Sequence, residues 1–233
     1  MTGPHRAAAL AAALGLILAG TAAADSETGF YFGLTGGTTS VDLGSKQDYD
    51  TTLAPAAALF VLANGFDVVG IESSLDDSDL GWQLQIGYRF NRYVAAEVGY
   101  VDLGEAKYEA IITADDGVAT FPVEASVRFM SSGPTAAVVG MLPLGERFDV
   151  HAKAGILFAD TRLRSRVRDV DFADNVLHSE VHAGEKEMFL GIGGAWNIGE
   201  NYSVRLEYQR FLDVGEDDSE SDVDMVGLSL LFR

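Results

Sequence analysis

The chain has 233 residues and a formal net charge of -19, which sets it against nucleic-acid partners, since those require a basic footprint. It holds 26 glycines and no cysteine, so disulfides, thiolate nucleophiles and cysteine metal sites are excluded. The length leaves room for one or two domains with a substantial core.

At the N-terminus, Arg6 precedes an apolar run over residues 7–20 (AAALAAALGLILAG), and Ala22-Ala23-Ala24 offers a small-residue cleavage pattern before Asp25. This layout is that of a secretory signal peptide, and the run is shorter than the about 20 residues of a membrane helix. The expected division is a signal peptide over 1–24 and an exported chain over 25–233, with no cysteine to make it a lipoprotein. No later apolar run is long enough to cross a bilayer as a helix, the longest being residues 54–63 (APAAALFVLA). A membrane barrel, by contrast, would carry its signal in alternation.

Alternation begins at residues 30–41, where Phe30, Phe32 and Leu34 share a face. A long connection follows over 42–79. Inside it, Pro55 near the start and Gly65 past the end bracket an apolar stretch that suits a short helix over 52–64, placed as a lid on the barrel mouth. Residues 80–90 (LGWQLQIGYRF) put Leu80, Trp82, Leu84, Ile86, Tyr88 and Phe90 on one face, opposite Gly81, Gln83, Gln85, Gly87 and Arg89. After Asn91-Arg92, residues 93–100 put Val94, Ala96, Val98 and Tyr100 opposite Ala95, Glu97 and Gly99, so the pair reads as a tight hairpin. The pattern repeats at 135–142 with 148–158, and at 188–198 with 202–211. Lys153 and His151 fall on the polar face of the first of these, and Arg205, Glu207 and Gln209 on that of the second. Residues 135–142 are apolar on both sides and leave their facing open. A last strand runs from Val223 to Phe232.

Eight strands therefore alternate short turns with long polar connections at 42–79, 104–132, 161–185 and 213–222. Aromatics ring the short-turn ends: Phe90, Tyr93, Phe148, Trp196 and Tyr202. A soluble β-sandwich or lipocalin-like barrel would turn its polar face to water. Here the non-apolar face is rich in Gly and Ala, which suits a crowded lumen. The expected fold is all-β, an eight-stranded antiparallel transmembrane β-barrel of the outer membrane. Its last strand, Val223 to Phe232, has the form that barrel-assembly machinery reads.

Residues 87–104 (GYRFNRYVAAEVGYVDLG) and 204–211 (VRLEYQRF) resemble strands of the OmpA transmembrane domain and its single-domain relatives. The resemblance implies both termini on the periplasmic side and a lumen closed by opposed charges, with Glu97, Arg205 and Glu207 on matching positions. It also implies a carboxylate in the strand before VRLEYQ, where this chain offers Ala195 or Trp196, so the interior pairing is expected to differ. OmpA continues into a peptidoglycan-binding domain, whereas this sequence stops at Arg233, so that anchoring role does not carry over.

The expected lumen network is Arg89, Glu97, Lys153, Arg205 and Glu207. On the lipid face each base at mid-depth would cost about 2–4 kcal/mol, which fixes the facing. Four arginines at spacing two, Arg162, Arg164, Arg166 and Arg168, share one strand face and suit contact with lipopolysaccharide phosphates. The acidic clusters at 76–79 and 216–224 lack the EF-hand spacing and read as solvated loops. His178-Ser179-Glu180 cannot form a relay, because neighbours on a strand point to opposite faces. No catalytic, cofactor or metal motif stands out. The expected role is structural or surface-interacting, in contact with outer-membrane lipid and lipopolysaccharide. A passive, porin-like channel for small solutes is the alternative.

Overall fold

The computed structural model describes residues 28–42, 50, 54–55, 58–59, 61–63, 65–169, 176–214 and 221–233, the side chains of 167–169 and 176–183 excepted. The signal segment 1–24 and the acidic residues 216–220 lie outside the described residues.

Among the described residues period-two alternation produces nine strands: β1 (Gly29–Val41), β2 (Asp67–Asp76), β3 (Ser78–Asn91), β4 (Val94–Asp115), β5 (Thr120–Pro143), β6 (Phe148–Asp169), β7 (Val176–Asn197), β8 (Tyr202–Val214) and β9 (Ser221–Phe232). Eight close a ring in the order β1-β3-β4-β5-β6-β7-β8-β9, and the β1–β9 pairing seals it. Every pairing in it is antiparallel. The ninth strand, β2, stands outside the ring and pairs with the outer half of β4. Closure removes the free edges that lipid could not satisfy.

The turns at one end are short and built from local chemistry. Asn91 Oδ1 accepts hydrogen bonds from the backbone N–H of Tyr93 and Val94 at 2.8 and 3.0 Å, an Asx turn between β3 and β4. Gly145 and Gly199 take positive φ in the other two turns.

The apolar face points outward. Leu80, Val98, Val138, Ile192, Leu206 and Leu228 are all exposed, as a lipid-facing wall requires. Residues 135–142, apolar on both sides, resolve as Thr135, Val139 and Met141 inward and Val138 and Leu142 outward. Phe148 and Phe158 mark the two aromatic levels ten residues apart on β6. At about 3.3 Å per residue and a tilt near 40° that separation is about 25 Å of height, the thickness of the apolar band of such barrels.

Three of the four expected loops carry strand: β2 and the start of β3 lie within 42–79, and the other two are continuations of ring strands. Pairing of β4 with β5 continues to Asp115↔Thr120, and pairing of β6 with β7 continues to Arg168↔Val176. β3 leaves β4 at Trp82↔Asp102, and β8 leaves β7 at Phe189↔Phe211. The outer halves of β4–β7 therefore stand clear of the ring as a sheet, with β2 added along its β4 edge. Charged outward residues and small inward ones (Ala106, Lys107, Glu109, Ala110) had given these stretches a loop-like composition.

The inner face of this sheet is apolar. Val61, from the expected helical stretch, packs with Ile112, Ala114, Phe121 and Val123. The described residues 54–55, 58–59 and 61–63 are helical, and Asp50 Oδ1 accepts from Tyr108 Oη at 3.0 Å and Ser73 Oγ at 2.5 Å. Asp50 and Val61 of the first connection thus lie against the protruding sheet.

The lumen as candidate functional site

Inward positions on β1, β4, β6 and β8 meet in the membrane-spanning part of the barrel. Lys153 Nζ sits 2.9 Å from Glu97 Oε2 and 2.8 Å from Glu207 Oε1, so one ammonium bridges both carboxylates. Arg205 Nη1 donates to Glu97 Oε1 at 2.8 Å and lies 3.6 Å from Glu207 Oε2. Two acids and two bases form a closed square, and each is buried. Such burial is tolerable because every charge has an opposite neighbour within hydrogen-bond reach.

Two further residues complete the cluster, and sequence reasoning gave neither a part in it. Tyr31 donates its phenolic O–H to Glu97 Oε1 at 2.6 Å. His151 Nε2 lies 2.6 Å from Glu207 Oε2. Both signals were present: Tyr31 alternates against Phe30 and Phe32, and His151 stands two residues from Lys153. Ala195 is buried and Trp196 outward and exposed, so no carboxylate comes from that strand.

Arg89 is not part of this square. It lies nearer the short-turn end, 3.9 Å from Asp149 Oδ2 and donating to Met141 Sδ at 3.2 Å. Asp149 also accepts from Asn197 Nδ2 at 2.9 Å, and Arg233 donates to Asn197 Oδ1 at 3.0 Å. This second polar group lines the short-turn mouth of the lumen.

Toward the outer side the lumen changes character. Gln209 Nε2 donates to Gln83 Oε1 at 3.0 Å. Beyond that pair, Phe189 and Phe211 stack at 5.1 Å, packed with Leu157, Met225 and Val101, all fully buried. The lumen thus carries a charged layer and an apolar layer in series.

Outside the lumen, Arg162, Arg164 and Arg166 point outward from β6 above the aromatic level and are exposed. Arg162 Nη2 pairs with Asp160 Oδ2 at 3.0 Å. The side chain of Arg168 lies outside the described residues, as do those of His178, Ser179 and Glu180. At the outer rim, Arg210 donates to Asp222 Oδ2 through Nε and Nη2 at 3.0 and 2.7 Å. The guanidinium, with a backbone N–H from Asp213, holds the Asp222 carboxyl below its ordinary value. Among the described residues no group of three or more His, Asp or Glu is placed to hold a metal ion.

A closed antiparallel ring with an apolar outer wall and a polar, side-chain-filled interior defines an outer-membrane β-barrel. The OmpA-like transmembrane domain model matches residues 22–233, and the chain belongs to that family. No curated protein sequence matches significantly. Among solved structures, Ail of Yersinia pestis in complex with the heparin analogue sucrose octasulfate is 12% identical, with a TM-score of 0.42 over 87% of this chain and 99% of that one. Neisserial surface protein A is 10% identical, with a TM-score of 0.41 over 87% and 96%. OprG from Pseudomonas aeruginosa is 13% identical, with a TM-score of 0.44 over 89% and 98%.

Proposed function

We propose that this protein is a non-conducting outer-membrane barrel whose role is structural or surface-interacting. The observation that carries this reading is the double closure of the lumen. A solute would have to break the Glu97–Lys153–Glu207–Arg205 square and then displace the stacked Phe189 and Phe211. An eight-stranded ring has no spare width to pass beside them. Planar-bilayer recording of the refolded protein tests the reading. It should show no steady openings, and discrete openings that persist after R205Q/E207Q would overturn it in favour of a channel.

The lumen residues Arg89, Glu97, Lys153, Arg205 and Glu207 act in this reading as closing and register-setting groups. Arg162, Arg164, Arg166 and Arg168 hold lipopolysaccharide phosphates, since guanidinium groups suit bidentate phosphate contact and the row begins just above the outer aromatic level. Replacing all four by Gln should weaken co-purification of lipopolysaccharide several-fold, and unchanged association would sink the assignment. Export uses the signal peptide over 1–24, and insertion uses recognition of the strand from Val223 to Phe232 by the assembly machinery.

A further inference from the structure

The short-turn mouth of the lumen holds more buried positive charge than its acids match. Arg89 enters it from β3, and Arg233 from the end of β9. Asp149 is the one carboxylate that serves them among the described residues, 3.9 Å from Arg89 Nη2 and linked to Arg233 through the Asn197 amide. Deeper in, Glu97 and Glu207 are already matched by Lys153 and Arg205. The acids of the neighbouring turns, Glu146 and Glu200, are exposed and pair with neither guanidinium. The carboxylate of Arg233 itself makes no ion pair among the described residues, and its N–H continues the ladder to Asn201 O at 2.9 Å. Two guanidinium groups therefore share one carboxylate, in a chain whose net charge is -19.

The donors are as poorly matched as the charges. Arg89 Nε is buried with no hydrogen-bond partner, and Arg89 Nη2 donates at 3.2 Å to the Met141 thioether, a weak acceptor. Arg205 Nε, one layer deeper, is buried and unpartnered as well. Asn197 Oδ1 is used twice, by Arg233 Nη2 at 3.0 Å and by Ser203 Oγ at 2.7 Å. Buried donors without acceptors are costly. Burial, and next the charge of Arg89, lowers the Arg233 guanidinium to about 10, while Asp149 raises it and Arg205 lowers it. Arg233 thus feels two other guanidinium groups across the same mouth.

The group that would satisfy this mouth is an acceptor with negative charge and several oxygens. Guanidinium forks suit oxyanions. A tetrahedral oxyanion presents oxygens to two forks at once and keeps one for a further donor, more than a planar carboxylate or a chloride ion offers. We propose that the short-turn mouth binds a small phosphate-type oxyanion between Arg89 and Arg233. The mouth opens along the lumen axis, inside the ring, so a free anion from the aqueous side reaches it and a headgroup in the surrounding bilayer does not. The site lies on the short-turn side of the charged square, so it does not depend on whether the lumen conducts. It is also at the opposite end of the barrel from Arg162 and the lipopolysaccharide assignment.

Isotope labelling of the arginine nitrogens reads the site by NMR. The refolded protein is held in a non-ionic detergent free of phosphate, and inorganic phosphate replaces chloride at constant ionic strength. The Nε–H signals of Arg89 and Arg233, assigned from R89Q and R233Q, should shift and saturate. Acetate should need a several-fold higher concentration for the same shift. R233Q should weaken phosphate several-fold as read at Arg89, and R89Q should do so as read at Arg233. R92Q, which removes an exposed base from the β3–β4 turn, should leave the titration unchanged. Phosphatidylglycerol mixed into the detergent, without inorganic phosphate, should move neither signal. Unheated gel mobility checks that each variant is folded. Shifts that never saturate, saturation that survives R89Q or R233Q unchanged, an effect of R92Q as large as theirs, an equal response to acetate, or the lipid acting like the free anion would each overturn the proposal.

Discussion

Glu97 accepts hydrogen bonds from Tyr31 and Arg205 and pairs ionically with Lys153, and its loss would leave two buried cations sharing one carboxylate. Breaking a buried pair by removing one partner costs about 3–5 kcal/mol, because the survivor stays desolvated. E97Q should therefore lower unfolding stability by about that much in urea titrations of the barrel in vesicles. A double-mutant cycle of E97Q with R205Q should show coupling well above the value for an exposed pair. Asp222 is a milder case. Its carboxyl is held low by Arg210, so this contribution is present above the ordinary aspartate value of about 3.9 and is lost as pH falls through the lower folded value. Arg210 is too exposed for the pair to matter much to stability. The check is the titration itself: by NMR, R210Q should return the Asp222 midpoint toward the ordinary value.

At the scale of elements, the strand seams depend on glycine where large inward side chains cross them. A Cβ on Gly193 would lie 2.6 Å from His151 Cε1 and would also collide with the backbone carbonyl oxygen of Leu206. G193A should push β7 from β8 and disturb the His151–Glu207 contact, lowering the unfolding midpoint by the equivalent of about 1–3 kcal/mol or more. G140A, whose added Cβ would meet only the Ala152 carbonyl at 3.9 Å, should be nearly neutral in the same assay. Alternation made the strands of the ring legible, because a period of two is a local property of the chain. It did not reveal the outer halves of β4–β7. Above the membrane many outward residues become charged and several inward ones on β4 are alanine (Ala106, Ala110, Ala114), so the contrast that marks a strand weakens while the hydrogen-bond ladder continues. The bulge at residues 102–105 adds a second obstacle. It switches β4 from odd-numbered inward residues such as Leu103 to even-numbered ones such as Ala106, and no local pattern announces the change.

At the scale of the molecule, two unlike layers close one lumen, and their contributions are separable. Neutralising the charged layer alone should leave the protein non-conducting, because Phe189, Phe211, Leu157 and Met225 still fill the cross-section. Combining R205Q/E207Q with F189A/F211A should produce brief openings in planar bilayers. Steady openings from the charge variant alone would show that the apolar layer does not seal.

The sequence by itself determined the barrel class, the short-turn ends and the facing of most strands in the ring. Each follows from side chains alternating on a pleated backbone, and an outward Arg205 or Lys153 would stand in hydrocarbon. It also put Glu97, Lys153, Arg205 and Glu207 on inward positions. Only the tertiary structure decided which of them touch. Ring closure and strand stagger are long-range quantities, set by eight registers at once, and they bring β4, β6 and β8 to one level across the lumen. The same registers set Arg89 apart with Asp149 and brought His151 and Tyr31 in.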